Sequence, residues 1–208
     1  MIPVVKVTGG SLVTHILSHE DRPLRADARR NRERILKSAR EVFAEFGSEA
    51  QIDDVARRAG VGVGTVYRHY PTKDALLIEL VREKFRLLTA GGEAALERSG
   101  EPFEILTDWL RDNAERLGAD AATQQAVAGA GDQVWLEAAA EHQALVEVTD
   151  QLLARALQAG AVRPDATAND IGMLMSGLCA TMGSPAPGFD WRRHLELIID
   201  ALRPRSGH

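Results

Sequence analysis

The stretch from Ile52 to Tyr70, IDDVARRAGVGVGTVYRHY, constrains this chain more than any other. Ile52, Val55, Ala56 and Ala59 recur at three- and four-residue steps, which is one face of a short helix. Asp53 and Asp54 stand in its first turn, where the positive end of the helix dipole favours carboxylates. Gly60 breaks the helix, Val61 is the apolar residue of the turn, and Gly62 serves as N-cap of a second helix over Val63–His69. In that helix Val63 and Val66 are expected toward the core. Gly64, Thr65, Tyr67, Arg68 and His69 are left outward or at the rim. A helix this short, with a glycine inside, does not hold in water alone, so its outward face is not tuned for helix propensity. Small residues at its start permit close approach to a large partner, and its end offers hydroxyls and nitrogen donors. Its length fits the major groove of DNA, about 12 Å wide.

The flanks read as helices too. Over residues 29–46, Ile35, Leu36, Ala39, Val42, Phe43 and Phe46 share a face, and Gly47 stands where a left-handed residue ends a helix. Arg29, Arg30, Arg32 and Arg34 crowd the start of that helix, a poor place for cations on dipole grounds. Either an external anion or a solvated charged face accounts for them. Pro71 ends the second short helix and Thr72 caps a fourth, expected over residues 73–90, with Gly91 and Gly92 ending or loosening it. Helical spacing continues over 103–117, 119–130, 133–159, 168–182 and 191–202, with a loop at 184–188 and Asp190 as the last N-cap. No alternating strand pattern of useful length occurs. The expected fold is all-α with about nine helices. A lead-in over residues 1–24 precedes a helix-turn-helix domain at 25–72 and a larger helical domain at 73–208.

The net charge of −5 hides an asymmetry. Residues 25–73 carry 11 Lys and Arg against 7 Asp and Glu, and residues 74–208 carry 12 against 21. A basic module on an acidic one points the first part at a polyanion; scatter is the plainer reading of so small an excess. The first 24 residues do not read as a signal peptide, because Lys6, Gly9, Gly10 and His15 interrupt their apolar pieces, and no run approaches a membrane span. A single cysteine, Cys179, excludes an internal disulfide and a Cys-rich zinc site, and fits a reducing cytoplasm. The histidines are scattered, with no metalloprotease, nucleophile-elbow or phosphate-loop spacing. Asp53 and Asp54 resemble a paired carboxylate, but their first-turn position explains them. No enzyme, metal or resident cofactor is expected.

In these motifs the chain resembles the TetR family of bacterial transcriptional regulators. The resemblance rests on ILKSAREVFAEFG, from Ile35 to Gly47, and above all on DDVARRAGVGVGTVYRHYPTKDALL, from Asp53 to Leu77. The downstream two-thirds match only in layout. Gly62 stands where many members carry Ser or Thr, Gln51 where a small residue often starts the second helix, and Tyr70 where Phe is commoner.

The resemblance implies roles. Thr65 and Tyr67 match phosphate-contacting hydroxyls, and Lys73 a phosphate-contacting ammonium. Gln51 lies at a phosphate-contacting helix start, and Arg29 in the basic lead-in to the same face. Val63, Gly64, Arg68 and His69 fall where base edges or the flanking backbone are met, with Arg68 either bidentate to guanine or on phosphate. His69 and Tyr70 also match positions that pack the third helix. The larger domain resembles the family's regulatory domain, which binds a small-molecule effector, here unidentified. Phe103, Leu106, Trp109, Trp135, His142, Met173 and Met182 are candidate effector contacts, though core or interface is the plainer reading of each. Ile171, Leu174, Met175 and Leu178, then Leu195, Ile198, Ile199 and Leu202, are the expected homodimer interface. The implied protein is a ligand-responsive repressor, cytoplasmic and nucleoid-associated, that binds a near-palindromic double-stranded operator as a dimer. An activator of the same fold, or a helical adaptor without DNA binding, are the alternatives.

Overall fold

The three- and four-residue apolar spacing becomes helix wherever the structure describes it. The computed structural model describes residues 21–120, 131–182 and 186–204. Over these the chain forms nine α-helices and one 3-10 turn, with no strand. They are α1 (Asp21–Phe46), the turn Gly47–Glu49, α2 (Ile52–Ala59), α3 (Val63–His69), α4 (Lys73–Leu96), α5 (Pro102–Ala119), α6 (Asp132–Glu137), α7 (Ala139–Gln158), α8 (Ala168–Met182) and α9 (Trp191–Leu202). Gly47 and Gly60 end α1 and α2 with positive φ of 54° and 63°, a conformation glycine adopts without a Cβ clash. Thr72 Oγ1 accepts from the Ala75 amide at 3.0 Å, and the Asp190 carboxylate accepts from the Arg192 amide at 2.9 Å, so both expected caps form.

The elements differ from expectation in three places. α1 begins at Asp21 and takes in residues 21–24 of the expected lead-in; Pro23 falls in its first turn, where a missing amide hydrogen costs nothing. α4 runs through Gly91 and Gly92 to Leu96. A Cβ on Gly92 would lie 2.9 Å from Val148 Cγ2 and 3.3 Å from Trp109 Nε1. Gly92 therefore serves close helix packing, and neither glycine ends the helix. The expected helix over 133–159 is two helices, with a break at Ala138 (φ −99°, ψ 10°). Arg82 of α4 donates to the Glu137 carbonyl at 2.6 and 3.1 Å, which satisfies an acceptor freed at the end of α6. The expected helix at 119–130 lies largely outside the described residues, as does the start of the loop at 184–188.

Two apolar cores result. In the first, Ile35, Ala39, Val42 and Phe43 of α1 meet Val55 and Ala56 of α2, Val66 of α3, and Leu76, Leu77, Leu80 and Val81 of α4. In the second, Leu106, Trp109 and Leu110 of α5 meet Val148 and Leu152 of α7, Ile171 and Leu178 of α8, and Leu195 and Ile199 of α9. α4 supplies Leu88 to the first and Ala95 to the second, so it belongs to both. Phe46, placed on the core stripe by its spacing, is exposed, because it sits at the last turn of α1 beyond the packed face.

The expected interface stripes are corrected by this packing. Ile171, Leu178, Leu195, Ile198, Ile199 and Leu202 are all at most 4% exposed within the single chain, and Leu174 and Met175 are half-buried against the same core. They fill their own protomer because helical spacing reports that a face is buried, not what buries it. The outward faces of α8 and α9 carry Met173 and Leu197 instead, beside Gly172, Ser176 and Gly177.

Glycine at position 92 is a packing requirement. Gly92→Ala gains about 1 kcal/mol of helix propensity, but its methyl meets Val148, whose rotamer is stiff. The net expectation is a loss of about 1–2 kcal/mol in a urea melt, whereas a stabilised variant would contradict the close packing.

Candidate nucleic-acid interface and effector cavity

α3 is held by what it buries. Val66 is fully buried among α1, α2 and α4, and Tyr70 just beyond the helix is 5% exposed. Burial raises the Tyr70 phenol pKa, with the Arg32 guanidinium opposing it. The other face is left out. Val63 is 39% and Tyr67 46% exposed, Gly64, Arg68 and His69 are exposed, and Thr65 is half-buried. Val63, expected toward the core, points outward because the helix rotates Val66 fully inward. A Cβ at Gly64 would meet nothing within 4 Å, so this flank of the helix is open.

The cations divide into struts and a free reader. Arg34 donates to the carbonyls of Ala59 and Gly60 and closes the C-terminus of α2. Arg32 pairs with Glu79 at 2.5 Å, Arg30 with Asp27, and Arg58 with Glu41 and Glu45. Arg29 reaches Glu33 only at 3.7 Å, with both side chains more than two-thirds exposed. Arg68 makes no hydrogen bond or ion pair with any described residue. Of the basic cluster at residues 29–34, which lies inside α1 and not at its start, Arg32 and Arg34 are thus explained by internal partners.

Two expected phosphate contacts also have structural partners. The Lys73 ammonium donates to the Ser48 carbonyl and lies 5.6 Å over the Phe43 ring. Gln51 caps α2: its amide donates to Asp54 Oδ2 at 3.3 Å and its Nε2 donates back to the Glu49 carbonyl at 2.9 Å. An ammonium has three donors, so Lys73 keeps hydrogen-bonding capacity for a second partner.

Behind α4 a chain of ion pairs runs away from α3. Arg32 meets Glu79, Glu79 meets Arg86 at 3.0 Å, and Arg86 meets Glu141 of α7 at 3.0 Å. Arg82 lies 3.8 Å from Glu141 and holds the end of α6. Glu79 is 8% exposed, which makes it the buried node. Burial pushes the Glu141 carboxyl up, but the hydrogen bond from Arg86, a backbone hydrogen bond and the charges of Arg82 and Arg86 together outweigh this and hold it below the usual range.

A cavity of about 80 Å³ lies between α4, α5, α7 and α8. Of the expected effector contacts, Trp109 and His142 line it. Phe103 and Leu106 are core residues, Phe103 with the Arg203 guanidinium 4.4 Å from its ring. Trp135 packs on Phe85, Met182 is half-buried between the two cores, and Met173 faces outward at 67% exposure. Sequence reasoning missed Asn113, Thr149, Gly172 and Met175. Asn113 was readable: it falls four residues after Trp109, a polar residue on the apolar face of α5. Among the described residues no His, Cys, Asp and Glu cluster suits a metal ion, and no helix is long and apolar enough to cross a membrane.

Lys73 ties the start of α4 to the turn after α1. Lys73→Met is expected to lose about 1 kcal/mol of stability without any DNA present. A urea midpoint equal to that of the unaltered protein would contradict the strut.

The comparisons with known proteins agree with this geometry. Residues 35–80 match the model for bacterial regulatory proteins of the tetR family, and residues 101–204 match that of the C-terminal domain of SbtR-like transcriptional regulators. The transcriptional repressor KstR of Rhodococcus jostii is 30% identical over 175 residues, 82% of each chain. The solved structure of a TetR regulatory protein from Mycobacterium vanbaalenii is 36% identical and superposes with a TM-score of 0.64, covering 87% of this chain and 99% of that one. That of the regulator SCO0520 from Streptomyces coelicolor is 31% identical with a TM-score of 0.62, covering 84% and 99%. The chain therefore belongs to the TetR family, as a DNA-binding transcriptional regulator and not an enzyme.

Proposed function

We propose that this protein is a repressor that occupies its operator as a homodimer and is released by a small-molecule effector. The observation that carries the reading is the outward face of α3. Gly64 is open, Tyr67 and Val63 are exposed, and Arg68 is free of any described partner, all on a helix fixed by Val66. Thr65, Tyr67 and Lys73 hold the register on phosphate, and Arg68 reads a base edge or the backbone beside it. Arg29 and Gln51 lie at the margin of that footprint. Repression is supported by the KstR relatives, which are named transcriptional repressors.

The dimer forms through the outward faces of α8 and α9. Exposed Met173 and Leu197 supply apolar area, and Gly172, Ser176 and Gly177 let backbones approach closely. A two-fold dimer sets two copies of α3 about one DNA turn apart or a multiple of it, roughly 34–36 Å, which makes the operator near-palindromic. The effector acts by binding one arrangement of the dimer more tightly than the other. Operator binding places the protein with the chromosome in the cytoplasm.

A gel shift with DNA from the protein's own promoter neighbourhood tests this. The unaltered dimer shifts the fragment at low salt, and Tyr67→Ala weakens the shift at least tenfold. Gly64→Ala separates fold from function. Its methyl meets no described atom within 4 Å and gains up to about 1 kcal/mol of helix propensity, so its melting temperature holds or rises while DNA binding falls. Binding unchanged in both variants would refute the assignment of this face.

A further inference from the structure

We propose that the cavity between α4, α5, α7 and α8 binds an uncharged, mainly apolar effector carrying one ketone or hydroxyl oxygen, and that Asn113 is its polar anchor. The proposal rests on reading the chain as an effector-responsive regulator, and it adds the chemical class of that effector.

Asn113 is the residue that does not fit a closed core. It is 6% exposed and lines the cavity, yet its carboxamide makes no hydrogen bond to any described residue. Three polar groups near it are paired within the protein. Thr149 Oγ1 donates to the Leu145 carbonyl at 2.7 Å, Thr107 Oγ1 to the Glu104 carbonyl at 3.3 Å, and Trp109 Nε1 to the Leu88 carbonyl at 3.3 Å. Burying an amide without a partner is unfavourable. An apolar core position on α5 filled by leucine would avoid that cost. The carboxamide offers two donors and one acceptor. It therefore suits a ketone, which accepts, or a hydroxyl, which does both.

The rest of the lining decides the charge of the ligand. Leu88, Leu145, Val146, Ile171 and Met175 are apolar, and among the described residues no Lys, Arg, Asp or Glu lines the cavity. Among the described residues His142 is its one titratable group. Lys84 is directed elsewhere, over the rings of Phe85 and Trp135. A charged ligand would lose its hydration with no counter-charge among the described residues of the lining to replace it.

The cavity's size gives the ligand leverage on α4. About 80 Å³ is well below the roughly 300–1,000 Å³ of a pocket for a drug-sized molecule. Anything beyond a small ring has to part the walls. Asn113 and Trp109 lie under the glycine pair of α4: a Cβ on Gly91 would be 3.6 Å from Trp109 Nε1 and 3.9 Å from Asn113 Oδ1. Occupancy at Asn113 thus presses on α4 at the point where α4 has no side chains, and α4 begins at Lys73 beside α3.

Ring-sized probes on the full-length protein without DNA test the class. Cyclopentanone and cyclopentanol are titrated against methylcyclopentane and cyclopentanecarboxylate. Melting temperature and the side-chain amide resonances of Asn113 are followed. The expected result is a saturable rise in melting temperature and a shift of the Asn113 resonances with the ketone and the alcohol. Methylcyclopentane and the carboxylate bind at least tenfold more weakly. Asn113→Leu removes the preference for the oxygen-bearing probes and melts at or above the temperature of the unaltered protein. Equal binding of methylcyclopentane, strongest binding of the carboxylate, an unshifted Asn113 resonance, or no binding of any probe overturns the proposal. Operator binding is read separately in the gel shift, so failure of the DNA-binding reading leaves these outcomes unaffected, and the reverse.

Discussion

The structure turns on the close approach of α5 and α7 to α4. Gly92 of α4 leaves no room for a methyl between itself and Val148, and the indole of Trp109 donates to the Leu88 carbonyl one turn earlier. That hydrogen bond and that gap fix the second half of α4 against the larger core. Its first half, through Leu76, Leu77, Leu80 and Val81, is built into the core that carries α3. One rigid element therefore belongs to two packed units. A shift at one end has no flexible linker in which to dissipate.

This explains how a helix as short as α3 serves as a reading head. Its order comes from Val66, from the left-handed turn at Gly60 and from the Thr72 cap that starts α4, not from its own propensity. The charges around it share that logic. Arg34 closes α2, Lys73 pins the start of α4 to Ser48, and Arg32 enters the ion-pair chain through Glu79 to α7. What remains outward is small or free, and so is available to DNA. The same partition runs through the larger domain, where the Thr149 hydroxyl and the Trp109 indole are internally paired and Asn113 is left open to the cavity.

The reading head was legible in the sequence because local rules decide it. Gly60, the stripe of Ile52, Val55, Ala56 and Ala59, and the caps at Thr72 and Asp190 act within a few residues, and the family motif spans the same stretch. The larger domain was less legible because distant contacts decide it. Gly91 and Gly92 read locally as a stop, yet α4 runs through both, and Val148 and Trp109 make Gly92 a packing notch. Ala138, a strong helix former, gave no sign of the break at which Arg82 reaches in. The stripes of α8 and α9 announced burial, and only the fold showed that Ile171 and Ile199 are buried in their own chain. For the cavity, bulk and aromaticity pointed to seven residues, of which Trp109 and His142 reach it. The informative signal was a polar residue at a core spacing.

The central claim is that α4 makes the DNA-reading unit and the regulatory unit one cooperative body. Differential scanning calorimetry of the full-length protein tests it most directly. Shared packing predicts a single unfolding transition in which both units melt together. Two separable transitions, with the α1–α3 unit melting on its own, would contradict it.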